Sequence, residues 1–287
     1  MIEVVSADGL VTVQDLGRSG QACLGVGRAG AFDRGALRLA NRLVGNPAEA
    51  AGLELTFGEV RLHVRDAVTL ALTGARRAGI DWGAAVSVPA GTLLRLPVPP
   101  AGLRSYLAVR GGVAAEPVLG SRSTDTLSGL GPVPVTAGAR LDVGPEPVEP
   151  VSSAFAVPAA GSFAVPAASA LASARGGLRI LLGPRDDWFA PEAITLLRTT
   201  AWTVRAESNR IGVRLDGPCL PRAGGPRAEL PSEATLPGAL QVPADGRPIL
   251  LGPDAPVTGG YPVIAVVLDA DLDAVAQLRP GDAVHFR

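Results

Sequence analysis

Glycines stand at positions 25, 27 and 30 in the stretch GVGRAG, the G-x-G-x-x-G spacing of a turn that cradles a dinucleotide pyrophosphate. That chemistry needs the first glycine directly after a strand and βαβ units downstream. Here the strand-like VTVQD ends at Asp15, well before Gly25, and residues 55–145 hold β runs without alternating helices. The motif therefore reads as a glycine-rich loop leading into a helix. The other groups with anion chemistry are arginines: Arg122 in GSRST, and Arg210 and Arg214 in SNRIGVRL. Each can fork onto a phosphate or carboxylate, or pair with a neighbouring acid. Ser121, Ser123 and Thr124 add hydroxyls, or cap the turn they lie in. Thr258-Gly259-Gly260-Tyr261 can present successive backbone N–H groups to an anion, or turn tightly into PVIAVV.

What the chain lacks narrows the chemistry further. All 26 basic residues are arginine, which removes a lysine Schiff base, a P-loop lysine and an amine nucleophile. Cys23 and Cys219 are too few and too far apart for a disulfide framework and are expected as reduced thiols. His63 and His285 stand alone in strand-like runs, so no metal site is expected. A net charge of −1 gives no global field for nucleic acid or an anionic membrane. The N-terminal stretch has no basic n-region and no run is long enough to span a bilayer, so the expected location is cytoplasmic.

The elements that must position these residues are mostly strands. IEVVSA, LVTVQD, EVRLHV, AVTLALTG, TLLRLPVP and SYLAVRGG at the front, and LRILLG, WTVRAES, PVIAVVL and DAVHFR at the back, are short β-branched runs broken by Gly and Pro. Helices are predicted where apolar spacing permits. One follows an Asp33 N-cap and stops at Gly45-Asn46-Pro47, one starts at Pro191, and one covers Leu272–Leu278. A Pro/Ala/Ser tract with the octads FAVPAAGS and FAVPAASA reads as a linker over 146–177, between domains at 1–145 and 178–287. TAGARLDVG and RPGDAVHFR give the two domains similar endings.

Several long motifs carry a resemblance. From Gln14, QDLGRSGQACLGVGRAGAFDRGALRLANRLVGN, then GLELTFG, ALTGA, RSYLAVRGGV, LGSRSTDT, ESNRIGVRLDG, LPSEATLPGALQVPADGRPILLGPDAPVTGGYPVIAVV and AQLRPGD closely resemble the biotin-dependent carboxyltransferase family. The likeness covers nearly the whole chain outside 146–177. It implies a mainly β fold of two tandem cyclophilin-like β-barrel domains with a few short helices. Members include the C subunit of ATP-dependent 5-oxoprolinase, allophanate hydrolase subunit 2, the KipA-type regulator, and part of urea carboxylase.

Because the chain carries no fused biotin-carboxylase segment, the resemblance implies first the 5-oxoprolinase activity. ATP is then used through a complex with a KipI-like B subunit and a LamB/YcsF-like A subunit. The alternatives are the carboxyltransferase half of a urea or guanidine carboxylase, with biotin supplied by another protein, and a regulator that binds a KipI-like inhibitor. Both enzymatic readings act on a resonance-stabilised amide or urea, whose oxygen must be stabilised as charge develops while a base manages the proton. In that light Glu233, Asp254 and Tyr261 are the catalytic candidates. Arg122, Ser123, Thr124, Asn209, Arg210, Arg214, Gln241, Thr258, Gly259 and Gly260 are candidates for holding substrate or anion. Asp15, Arg18, Asp33 and Asn41 form a second polar cluster. Ile211, where the family often has methionine, is a neutral departure.

Overall fold

A computed structural model of the chain describes residues 1–151, 177–224 and 230–287. Most of the expected linker, including both octads, lies outside them. The chain is mainly β with few short helices, and its contacts divide it into two units. Of the described residues, one holds 1–18, 29–125 and 129–151; the other holds 177–224 and 230–287 together with 19–28 and 126–128. Two pieces of the sequence's first half thus belong to the second unit.

The first unit is two five-stranded antiparallel sheets. Its strands are β1 (Ile2–Ala7), β2 (Leu10–Gln14), β3 (Gly52–Thr56), β4 (Val60–Val64), β5 (Val68–Gly74), β6 (Ala85–Val88), β7 (Leu93–Leu96), β8 (Arg104–Val109), β9 (Val113–Ala114) and β10 (Arg140–Val143). One sheet runs β7-β4-β1-β10-β9 and the other β2-β3-β8-β5-β6. Val4, Val13, Leu55, Leu62, Leu72, Leu96 and Leu107 fill the core of this unit. Helix α1 (Arg34–Leu43) covers the outer face of the second sheet. Asp33 starts it by accepting a hydrogen bond from Ala36 N at 2.8 Å, and Ala36, Leu37, Ala40 and Leu43 form its buried face. Gly45 ends it with φ 73°, a left-handed turn that glycine takes without strain.

That helix explains why β8 is buried at all six positions rather than at alternate ones. Leu107 and Val109 face the core, whereas Tyr106 and Ala108 meet the helix layer. The polar groups there are tied together. The Tyr106 hydroxyl donates to Glu54 Oε2 at 2.7 Å and accepts from Asp33 N at 2.7 Å, while Phe32 N donates to Glu54 at 3.0 Å. Arg104 Nε lies 3.3 Å from Glu54 Oε1, an ion pair by distance rather than an aligned hydrogen bond, and its guanidinium stacks on Phe32. Burial, with Glu54 and Asp33 nearby, pushes the Tyr106 phenol well above its usual range and keeps it a neutral donor.

The second unit is built on one curled antiparallel sheet. Its strands are β11 (Ile180–Leu182), β12 (Trp202–Val204), β13 (Gly212–Asp216), β15 (Ala239–Gln241), β16 (Ile249–Leu251), β18 (Val263–Val267) and β19 (Ala283–Val284), in the order β11-β18-β15-β16-β13-β12-β19. A separate short pair joins β14 (Glu233–Ala234) to β17 (Thr258–Gly259). Leu178 N donates to His285 O and Ile180 N to Arg287 O, so the segment after β19 returns beside the one that opens the sheet. In the first unit β10 likewise returns to β1, but antiparallel instead of parallel. Helix α2 (Pro191–Thr199) carries the expected proline in its first turn, and Trp202 Nε1 donates to Leu197 O near its end. The third predicted helix shrinks to α3 (Leu272–Val275) behind a 3-10 turn at Asp269–Asp271.

The Tyr106→Phe variant leaves buried Glu54 and Asp33 N each short of one partner. It is expected to lose about 1–3 kcal/mol of stability in urea unfolding, with secondary structure unchanged.

Candidate functional site

The loop between β12 and β13 turns on Asn209, whose Oδ1 accepts from Ile211 N at 2.9 Å and Gly212 N at 3.2 Å. This turn sends Arg210 inward to Asp254, which follows β16. Arg210 Nε reaches Oδ2 and Nη2 reaches Oδ1, both at 2.8 Å, with the side chains 1% and 0% exposed. Thr126 adds its N at 3.0 Å and its Oγ1 at 2.7 Å to Oδ2. Both carboxylate oxygens are therefore filled. The expectation that Arg210 forks onto a ligand and Asp254 takes a proton gives way to a closed pair in which each holds the other. Thr126 was not legible as its partner, because nothing local links positions 126 and 254.

Glu233 is placed differently. It lies on β14 opposite Gly259, and Arg185 forks onto it, with Nε 3.0 Å from Oε2 and Nη2 against Oε1. Both side chains remain about one-third exposed, at 31% and 35%, so this acid is reachable. Arg185 was missed; its only signal is its place just after the strand LRILLG. Gly259 and Gly260 take no left-handed φ among the described residues, so Thr258–Tyr261 is not an anion nest. Thr258 and Gly259 instead pair with β14, and a Cβ on Gly259 would stand 2.6 Å from Gln241 Nε2. Glycine serves there for close approach. Gln241 in turn donates to Tyr261 O at 3.3 Å.

Beyond that backbone the Tyr261 side chain, half exposed, borders a cavity of about 170 Å³. Arg205, Arg214, Arg247, Asp245, Pro243, Pro248 and Ile249 also line it. Arg205 is held by Glu207 at 3.2 Å, and Arg247 Nε is 2.9 Å from Asp216. The structure thus gathers Glu233, Gly259, Gln241, Tyr261 and Arg214 along one stretch of the second unit.

The other candidates fall in the first unit. Asp15 Oδ1 accepts from Ser121 Oγ at 2.6 Å, Ser123 Oγ at 2.5 Å and Gly17 N at 2.8 Å, and Oδ2 accepts from Arg122 N at 2.6 Å. Burial alone would raise its pKa, but these hydrogen bonds more than offset that and hold it below the ordinary value. Arg18, also buried, donates from Nη2 to Ser123 O at 2.5 Å. Thr124 Oγ1 donates to Pro132 O, and the exposed Arg122 side chain donates to Ala115 O. Hydroxyls read as ligand donors are here bracing a carboxylate and a loop. The second polar cluster divides: Asp33 caps α1, and Asn41 Nδ2 holds Ala50 O at 2.7 Å. The glycines of GVGRAG form no pyrophosphate turn; Gly25 ends a 3-10 turn with φ 74°, and a Cβ on Gly27 would stand 3.0 Å from Ala255 O. No group of His, Cys, Asp and Glu able to hold a metal occurs among the described residues.

Comparison with known proteins places this geometry. The family model "Carboxyltransferase domain, subdomain A and B" matches residues 24–287. The chain is 38% identical to the C subunit of 5-oxoprolinase from Escherichia coli, over 100% of its own length and 90% of the relative's. The crystal structure of TTHA0988 superposes with a TM-score of 0.82 at 34% identity, covering all of this chain and 56% of that one. The Kluyveromyces lactis urea carboxylase structure gives a TM-score of 0.85 at 28% identity, over 99% of this chain and 27% of that one. The chain spans about half of the first solved chain and about a quarter of the second. It belongs to the carboxyltransferase domain family, subdomain A and B.

Removing one member of the Arg210–Asp254 pair leaves an uncompensated buried charge. Asp254→Ala and Arg210→Ala are each expected to cost about 3–5 kcal/mol in urea unfolding, and the double variant less than their sum. Additive losses would show that the pair is not coupled. For Asp15 the folded-state pKa is lowered, so its contribution is complete above the unfolded value of about 3.9 and is lost as pH falls through the folded one. Below about pH 4, wild-type thermal midpoints should therefore fall more steeply than those of Asp15→Asn, followed by circular dichroism.

Proposed function

We propose that this member of the family works as the C subunit of an ATP-dependent 5-oxoprolinase, opening the 5-oxoproline lactam to L-glutamate with A and B subunits. The observation that carries this reading is the full-length match to a protein of that name, which leaves only a tenth of the relative uncovered. A subunit name implies an assembly. A KipI-like B subunit and a LamB/YcsF-like A subunit, in the cytoplasm, are the partners this reading takes.

Lactam opening needs a group that manages a proton beside the amide and a polar environment for the developing oxyanion. Glu233 is the acid of this chain placed for the first task, because it is reachable from solvent while Asp254 is sealed. Arg185 fixes the Glu233 carboxylate as an acceptor. Arg210 and Asp254 act one step back, by holding the loops on either side.

ATP would supply the phosphoryl group that activates the amide oxygen, and two cavities among the described residues bear on where it could sit. The 170 Å³ cavity is below the size of pockets that hold drug-sized ligands. A larger one of about 590 Å³ in the first unit presents Asp66 and Glu146. Its cations are engaged, Met1 N by Asp66 at 2.9 Å and Arg110 by Glu146 at 2.7 Å and by the carbonyls of Val44 and Pro147. This reading takes ATP through the assembled complex. Without lysine this chain cannot carry biotin, so a urea or guanidine carboxylase reading takes carboxybiotin from another protein. The likeness to the K. lactis urea carboxylase supports that second reading as the alternative.

The two separate in a reconstituted complex. ATP-dependent release of glutamate from 5-oxoproline is expected, falling by a factor of roughly 10²–10⁴ in Glu233→Gln with assembly unchanged. Carboxybiotin-dependent transfer to urea without glutamate release would replace the first reading by the second.

A further inference from the structure

We propose that the cavity beside Tyr261 receives the carboxylate of a small, compact acid, with Arg214 as its cationic anchor. This rests on the reading above, under which the acid is 5-oxoproline. Arg214 lies in the middle of β13, in register with Ile249, and its backbone is fixed by Ser208 Oγ at 3.0 Å and by Arg205 N at 2.9 Å. Its side chain is exposed and makes no hydrogen bond or ion pair among the described residues, so all five guanidinium donors are available. The neighbouring arginines are not in that position: Arg205 is held by Glu207, Arg247 by Asp216, and Arg210 by Asp254. The Tyr261 hydroxyl likewise has no hydrogen-bond partner among the described residues, on a residue whose carbonyl is held by Gln241.

Size and charge select the ligand. A volume of about 170 Å³ admits one small ring. Pro243, Pro248 and Ile249 give that ring apolar walls, and Arg214 and Tyr261 give its acid group a planar fork and a hydroxyl. Asp245 in the lining and Glu207 and Asp216 beside it bring the local charge back near neutrality. That balance tolerates a monoanion and opposes a phosphate dianion.

Calorimetric titration of the full chain tests this with three probes: 5-oxoproline, 2-pyrrolidinone, which is the same ring without the carboxylate, and inorganic phosphate. Saturable binding of 5-oxoproline is expected. It should weaken roughly 10- to 100-fold in Arg214→Ala and several-fold in Tyr261→Phe, with 2-pyrrolidinone weaker on the wild type by a similar factor. Both variants alter side chains at the surface, and the 2-pyrrolidinone comparison needs no variant. Equal binding by Arg214→Ala, equal binding of 2-pyrrolidinone, tighter binding of phosphate, or no binding of 5-oxoproline would each overturn the assignment. Turnover by the assembled complex is scored separately. An inactive complex in which this protein still binds 5-oxoproline through Arg214 removes the functional reading and leaves the pocket; an active complex with Arg214-independent binding does the reverse.

Discussion

The second unit depends on one buried pair of charges. Arg210 and Asp254 are both withdrawn from water, and neither could stay there alone, since an isolated buried charge costs several kcal/mol even after relaxation. The fork satisfies both carboxylate oxygens, and Thr126 takes the remaining capacity of one of them. The backbone follows the side chains: Asp254 N donates to Arg210 O and Gly252 N to Ile211 O. The turn before β13 and the loop after β16 are thereby fixed to each other. From that loop the chain runs directly into β17 and Tyr261, so the position of the exposed site is inherited from a pair that never meets solvent.

The first unit uses the same device with different parts. Asp15 is held by two serine hydroxyls and two backbone amides, with no cation bonded to it among the described residues. Glu54 is held by a tyrosine, an amide and Arg104. Each carboxylate ties a loop to a strand across a long stretch of sequence, and each is buried enough that losing a partner would expose an unmet desolvation cost. These polar groups make the loops specific, while the aliphatic residues between the sheets supply the bulk of the hydrophobic stabilisation.

Local features were legible in the sequence because their physics is local. The Asp33 cap, the apolar face of α1, the proline opening α2 and most β-branched runs are decided within a few residues. Pairing partners were not legible. Arg185 with Glu233, Thr126 with Asp254 and Arg18 with Ser123 join residues 48, 128 and 105 positions apart, and no spacing rule encodes them. Hence Arg210, read as an anion holder, and Asp254, read as a catalytic acid, turn out to hold each other, a pairing that could not be read from the sequence. The uninterrupted burial of β8 has a related origin: it comes from α1, which lies far away in sequence.

The arginines of the second unit set a limit on proton traffic. Arg185, Arg205, Arg210, Arg214 and Arg247 bring only guanidinium donors, groups that orient and attract an anion but do not serve as proton sources in proteins. Under the lactam opening proposed above, the departing ring nitrogen would draw its proton from a group other than these guanidiniums, from water or from a neighbouring protein. The acid–base half of the chemistry therefore cannot be lodged in the cationic half of the site, and the two must be supplied by different residues.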